Sequence, residues 1–259
     1  MRVSAVSYLN TWPLVWGFLH GPQRGRFDFR FDLPARCAEA LARNEAQIGL
    51  VPCAEIERMG LEFLPDVGIA CEGAVRSILL FSKKPFREIR TFAVDSGSRT
   101  SVALSRILLR ERYGVTPELR THAPDLDAML ADSDAALVIG DPALRLEPER
   151  LGWNWLDLGA EWKELTGLPM VFAAWAGKGT VLDEPGLREA FVASWHWGRD
   201  HMDEIVAQAE AERGFDGPLA HLYLTKYIQF ELTPRHLKGL ALFRSLVRDL
   251  DAIKWGVVR

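Results

Sequence analysis

The sequence predicts an α/β protein of two lobes with a ligand cleft between them and helices at its C-terminal end. Three observations carry this. Short apolar runs alternate with amphipathic segments of helical period, the pattern of strands crossed over by helices. The alternation occurs twice, within residues 1–84 and again within 85–176. From Glu184 onward the pattern is helical alone. The expected division is therefore residues 1–84 plus 177–259 as a discontinuous first lobe and 85–176 as the second. A single doubly wound sheet is the alternative, but it leaves the final helices without a sheet to cover.

The first strand is Val3 to Val6, and it breaks into Ser7, Tyr8, Asn10 and Thr11, all side chains that hydrogen-bond without carrying charge. Thr11 or Asn10 is expected to cap the next helix, with Pro13 in its first turn, where a missing N–H costs nothing. That helix runs to about Phe18 and closes at His20-Gly21-Pro22. Phe27 to Asp32 alternates apolar and polar, so it is a strand. Pro34 opens a helix with Cys37, Ala38, Leu41 and Ala42 on its apolar stripe. Ile48 to Val51 is a buried strand that ends at Pro52-Cys53-Ala54-Glu55. Leu64 to Cys71 and Val75 to Ser82 are further strands, and Lys83-Lys84-Pro85 is a crossing segment.

The second run starts with a strand over Thr91 to Val94. Asp95-Ser96-Gly97-Ser98 is its turn, and a helix follows from Arg99 to Tyr113, stopped by Gly114. Glu118 to Thr121 is a short strand, a short helix starts at Pro124, and Ala135 to Ile139 is a strand ending at Gly140-Asp141-Pro142. Trp153 to Leu158 is a strand or hairpin arm, and Glu161 to Thr166 a helical turn. Met170 to Trp175 is an apolar strand returning from the second lobe. Three helices are expected last, over residues 184–212, 218–230 and 234–250, separated by Gly214, Gly217 and Thr233-Pro234.

Composition bounds the partners. With 259 residues and 48% apolar content the chain builds a substantial core. A net charge of −4, unclustered, argues against nucleic acid and against a basic membrane contact. No apolar run reaches membrane-spanning length, and the N-terminus lacks the pattern of a secretory signal. Cys37, Cys53 and Cys71 show no C-x-x-C spacing and read as reduced, partly buried thiols of a cytoplasmic protein. Neither a metal nor a cofactor is called for. There is no P-loop, G-x-G-x-x-G, G-x-S-x-G or H-E-x-x-H pattern.

The candidate site is built from polar strand ends, because ligands of open α/β sheets sit at that edge. Ser7, Tyr8 and Asn10 form the first. Ser96, Gly97, Ser98, Arg99 and Thr100 form the second: Gly97 permits a tight turn, and the positive helix start with its hydroxyls and guanidinium can cradle a carboxylate or phosphate. A capped helix with a solvated arginine is the plainer reading. Arg76 and Ser77 form the third. An arginine in an apolar strand needs a partner, either a structural carboxylate such as Glu72 or Glu55 or an anionic ligand. Gly140 and Asp141 form the fourth, where Asp141 either orients a ligand hydroxyl or caps the next turn. The six histidines fall in loops or late helices away from these ends.

Five blocks in order resemble a known family: Val6-Ser7-Tyr8-Leu9-Asn10 followed by Pro13; Val75 to Ile78; Ser98 to Leu104; Ile139-Gly140-Asp141; and Leu165-Thr166-Gly167-Leu168-Pro169. They are similar to chorismate dehydratases, the first enzymes of the futalosine route of menaquinone biosynthesis. The sister dihydroxynaphthoate synthase shares the fold, but has an S-P-C-P-N-D block that this chain lacks at Ser7 to Pro13. The resemblance implies a fold like the type II periplasmic binding proteins. It implies metal-independent dehydration of chorismate to 3-[(1-carboxyvinyl)oxy]benzoate, with no cofactor. On that reading Asn10 and Ser77 hold the reacting part of the substrate, and a substrate carboxylate, rather than a protein one, takes the proton. A binding protein without turnover is the rival, since fold does not fix function.

Overall fold

The computed structural model describes residues 1–95, 97 and 99–252. In chain order it runs β1 (Arg2–Val6), α1 (Trp12–Leu19), β2 (Asp28–Asp32), α2 (Pro34–Ala42), β3 (Ile48–Pro52), α3 (Cys53–Arg58), β4 (Glu62–Cys71), β5 (Ile78–Ser82), β6 (Thr91–Val94), α4 (Arg99–Tyr113), β7 (Glu118–Thr121) and α5 (Leu126–Asp132). It continues with β8 (Ala135–Ile139), α6 (Gly140–Leu144), β9 (Asn154–Asp157), α7 (Leu158–Thr166), β10 (Met170–Gly177), α8 (Leu187–Asp200), α9 (Met202–Arg213), α10 (Gly217–Leu222), β11 (Gln229–Glu231) and α11 (Pro234–Ala252).

The strands form two sheets, so the single-sheet alternative falls. One has six strands in the order β11-β4-β10-β3-β1-β2, the other five in the order β7-β6-β8-β5-β9. In the first, β1 runs parallel to β2 and β3, and β10 lies antiparallel between β3 and β4. In the second, β6 is parallel to β7 and β8, while β5 is antiparallel to β8 and β9. The chain passes from one sheet to the other between Cys71 and Ile78 and returns between Asp157 and Met170. Thus β5 pairs in the second sheet and β10 in the first, although the sequence reading put residues 78–82 in the first lobe and 170–176 in the second. The Lys83-Lys84-Pro85 segment follows β5 within the second sheet instead of linking the lobes.

Central strands β3, β5 and β10 are buried along their whole length. Unbroken apolar runs such as Ile48–Pro52 follow from cover on both faces. The C-terminal helices supply part of that cover. Gly198 of α8 lies so close to α1 that a Cβ there would stand 2.0 Å from the Pro13 carbonyl oxygen, and a Cβ on Gly17 would stand 2.6 Å from the Ser194 Cα. Absence of two side chains lets the helices touch along their backbones.

Three local expectations are corrected. Residues 184–212 are two helices, α8 and α9, broken at His201. Residues 218–230 are not one helix: α10 stops at Leu222, a π-helical turn spans Tyr223–Tyr227, and β11 adds to the β4 edge through Gln229 opposite Ala70. A three-residue strand has no period to read; its partner creates it. Finally, Val75 to Ser77 lie outside β5. Arg76 has φ +66°, and the N–H groups of Val75 and Arg76 donate to the Asp157 carboxylate rather than to a strand.

Cys37, Cys53 and Cys71 are free thiols, fully buried. Burial pushes the Cys37 and Cys53 thiols up to about 12, so they stay protonated and inert. Among the described residues no helix is long and apolar enough to cross a membrane.

Candidate active site

The polar strand ends of the two sheets face one another across a partly open pocket. The six-stranded sheet contributes Tyr8 and Asn10 after β1, Pro52 at the end of β3, and Phe172 of β10. The five-stranded sheet contributes Ser77 before β5 and Gly140 after β8, with Gly97, Arg99 and Thr100 at the start of α4. Ser101 adds a further hydroxyl, and Val6, Leu50, Ile69 and Ile139 are among the apolar wall residues.

Asn10 sits in a single 3-10 turn, Leu9–Thr11, between β1 and α1. Neither Asn10 nor Thr11 caps α1 with its side chain, which corrects the expected cap. The Asn10 amide instead donates from Nδ2 to the Tyr223 hydroxyl at 3.0 Å. Tyr223 in turn donates to Ser77 Oγ at 2.9 Å. Ser77 is 2% exposed, and its carbonyl accepts from Gly140 N at 2.8 Å, so the third and fourth strand ends are joined directly. Tyr8 packs its ring under Gly140, which has φ +66° and no room for a Cβ: one there would lie 2.6 Å from the ring. Burial, reinforced by the charges of Asp95 and Asp141, pushes the Tyr8 phenol up to about 12 and keeps it neutral.

The α4 start is anchored by two contacts. Thr100 Oγ1 accepts from Ala54 N at 3.2 Å, tying it to α3 of the other half. Arg99 donates from Nη1 to Glu55 Oε2 at 3.1 Å. Glu55 is 3% exposed and also takes Arg58 through both oxygens. Burial raises its carboxyl, but the Arg58 hydrogen bonds and the Arg99 charge outweigh that and hold it below the usual carboxylate range. So Arg99 is not a freely solvated arginine. It is a cleft-lining cation held by one side of its guanidinium. The expected contributions of Ser96 and Ser98 lie outside the described residues.

Three other candidates stand behind the wall. Ser7 turns its carbonyl toward Arg213 Nη1, at 2.6 Å. Asp141 engages both carboxylate oxygens, accepting from Leu9 N at 2.9 Å and from Arg213 Nη1 at 3.1 Å, and Arg213 lies over the Trp12 ring. Burial raises the Asp141 carboxyl against these bonds. Arg76 pairs with neither Glu72 nor Glu55: Nη2 donates to the Leu146 carbonyl at 2.7 Å, and Glu72 belongs to Lys163 and Arg235. A backbone carbonyl takes Nη2 where a carboxylate was expected, while Nη1 is buried without a hydrogen-bond partner among the described residues.

Two residues escape the sequence reading. Tyr223 lies far along the chain in a segment read as ordinary helix. Asp157 caps α7 through Gly159 N and Ala160 N and holds Val75 N and Arg76 N, thereby placing Ser77. An Asp before a helical segment is a cap signal, but its second pair of donors comes from a distant loop. Among the described residues no group of three or more His, Cys, Asp or Glu side chains is placed to hold a metal ion.

Two sheets with their polar edges lining one interlobe pocket define a protein of the periplasmic-binding-protein class of folds. Solved structures agree on the fold: a protein from Archaeoglobus fulgidus superposes with TM-score 0.78 at 15% identity, covering 97% of this chain and 98% of that one. The periplasmic aliphatic sulphonate binding protein SsuA from Escherichia coli gives 0.67 at 15% identity, over 97% and 86%. The chain belongs to the menaquinone biosynthesis family, whose model matches residues 1–249. It is also 30% identical over 228 residues to the chorismate dehydratase of Thermus thermophilus, covering 82% of this chain and 83% of the relative.

Proposed function

We propose that this protein is a chorismate dehydratase, a carbon–oxygen lyase that needs no metal or cofactor and converts chorismate to 3-[(1-carboxyvinyl)oxy]benzoate. The observation that carries the reading is the meeting of Asn10 and Ser77 on one buried hydroxyl, in a pocket that also holds the start of α4 and Arg99. Chorismate has two carboxylates. The helix start offers N–H groups without intrahelical partners, and Arg99 offers a charge.

The proton to be lost is on the ring carbon that bears the enolpyruvyl ether. It is acidified through a ring double bond conjugated to the ring carboxylate. Its removal and departure of the neighbouring hydroxyl make the ring aromatic. With so favourable a product, the protein has to position the substrate and stabilise charge developing on the ring carboxylate. Amide and hydroxyl donors do this without ionising. Asn10 and Ser77 are assigned to that role, and the side-chain carboxylate of the substrate to that of base. The apolar walls exclude water and strengthen each hydrogen bond made inside.

Mixing the purified protein with chorismate and following both its loss and the appearance of the aromatic product tests this. Stoichiometric binding without turnover identifies a receptor instead, the reading that the solute-receptor fold favours.

A further inference from the structure

We propose that Tyr223 is a positioning residue of the site, one that presents Ser77 to the ligand as a hydrogen-bond donor and fixes Asn10 beside it. This rests on the chorismate dehydratase reading and extends it by a residue and a direction of hydrogen bonding.

Tyr223 is 1% exposed, so its hydroxyl has no water to turn to. It receives an N–H from Asn10 Nδ2 and its own proton goes to Ser77 Oγ. A phenol has a single proton to give. Ser77 Oγ is thereby an acceptor toward Tyr223, and the serine proton is left for another group. Ser77 lines the pocket, whereas Tyr223 is behind it, so that proton points to whatever occupies the cleft. A chain of donors running in one direction polarises each member, and the last becomes the stronger donor. The relay ends where an oxyanion would sit.

The backbone agrees with such a role. Tyr223 opens the π-helical turn that follows α10, a rare geometry that recurs at functional sites. The turn swings the ring inward, across to residues near the ends of β1 and β5. Nothing in the local stability of α10 requires a phenol there; a phenylalanine fills the same space. Burial holds the phenol well above its ordinary range, and Asp141 and the Cys71 thiol, the titratable groups facing it, add to the effect, so it remains a donor.

The test is turnover of chorismate by the full chain, its Tyr223→Phe and Ser77→Ala variants, and the double variant. Tyr223→Phe is expected to lower kcat about 10- to 100-fold with KM changed no more than about 3-fold. In the Ser77→Ala background the same change is expected to cost about 2-fold or less, because its effect runs through Ser77. As a second probe, 3,5-difluorotyrosine at position 223 keeps the ring and both hydrogen bonds but ionises at lower pH. The alkaline limb of its kcat profile is expected to move down while KM stays in place. Full activity of Tyr223→Phe, losses that add independently in the double variant, or a difluorotyrosine profile that superposes on the parent's overturns the proposal. A parent that leaves chorismate untouched overturns the underlying reading as well, so the two failures are told apart.

Discussion

The side chains of Asn10 and Ser77 converge on the hydroxyl of Tyr223, at 3.0 and 2.9 Å. One residue lies in the turn after β1 of the six-stranded sheet and the other precedes β5 of the five-stranded sheet. A hydrogen-bond network therefore joins residues of both sheets beside the pocket between them. It also makes the donor pair sensitive to changes in either half.

Asn10→Ala is expected to lower kcat for chorismate by about 100-fold or more, the scale of losing one donor to a developing oxyanion. Each of the six single His→Ala variants is expected to stay within about 2-fold, since no histidine lines the pocket among the described residues. Steady-state turnover of variants whose folding is verified by circular dichroism decides it. A folded but inactive histidine variant removes the assignment of the base to the substrate.

Arg99→Ala is expected to weaken chorismate binding about 10- to 100-fold, the worth of a charge-assisted contact. The fold should persist, because Glu55 retains Arg58 through both oxygens. Calorimetric titration of variant and parent measures this, and unchanged affinity returns Arg99 to a purely structural pair with Glu55.

Gly140→Ala places a methyl group 2.6 Å from the Tyr8 ring at a backbone of φ +66°. Both the clash and the left-handed backbone oppose it, together costing about 2 kcal/mol or more. Urea unfolding is expected to show that loss, with turnover falling further because Tyr8 and the Ser77 carbonyl are both displaced. A variant of parental stability means the turn has another conformation to adopt.

Asp134 gives a pH dependence. Burial raises its carboxyl, but the Lys84 hydrogen bond and the N–H groups of Arg90 and Thr91 outweigh that and lower it to about 2. A carboxyl whose folded pKa is depressed contributes stability above its unfolded value of about 3.9. That contribution is lost as pH falls through about 2. The stability gap between parent and Asp134→Asn is therefore expected to be constant near neutrality and to close between about pH 4 and pH 2 in acid unfolding experiments. A gap that widens in acid contradicts the sign.

Much of this architecture was legible in the residues alone. Apolar runs such as Ile48 to Val51 and Ala135 to Ile139 announced buried strands, Pro13 and Pro34 announced helix starts, and the polar breaks after them marked the edge where a ligand sits. These signals are local: period, capping and proline geometry act within a few residues. Folding decided what depended on partners distant in the chain. Residues 229–231 became a strand only because the β4 edge was open to them. Residues 78–82 joined the second sheet because β8 and β9 pair with them on either side. Arg76 found a carbonyl, Asp141 an arginine from α9, and Asn10 and Ser77 a tyrosine from beyond α10. Hydrogen bonds between such remote positions leave no spacing to read, because the chain between them is free to take any length.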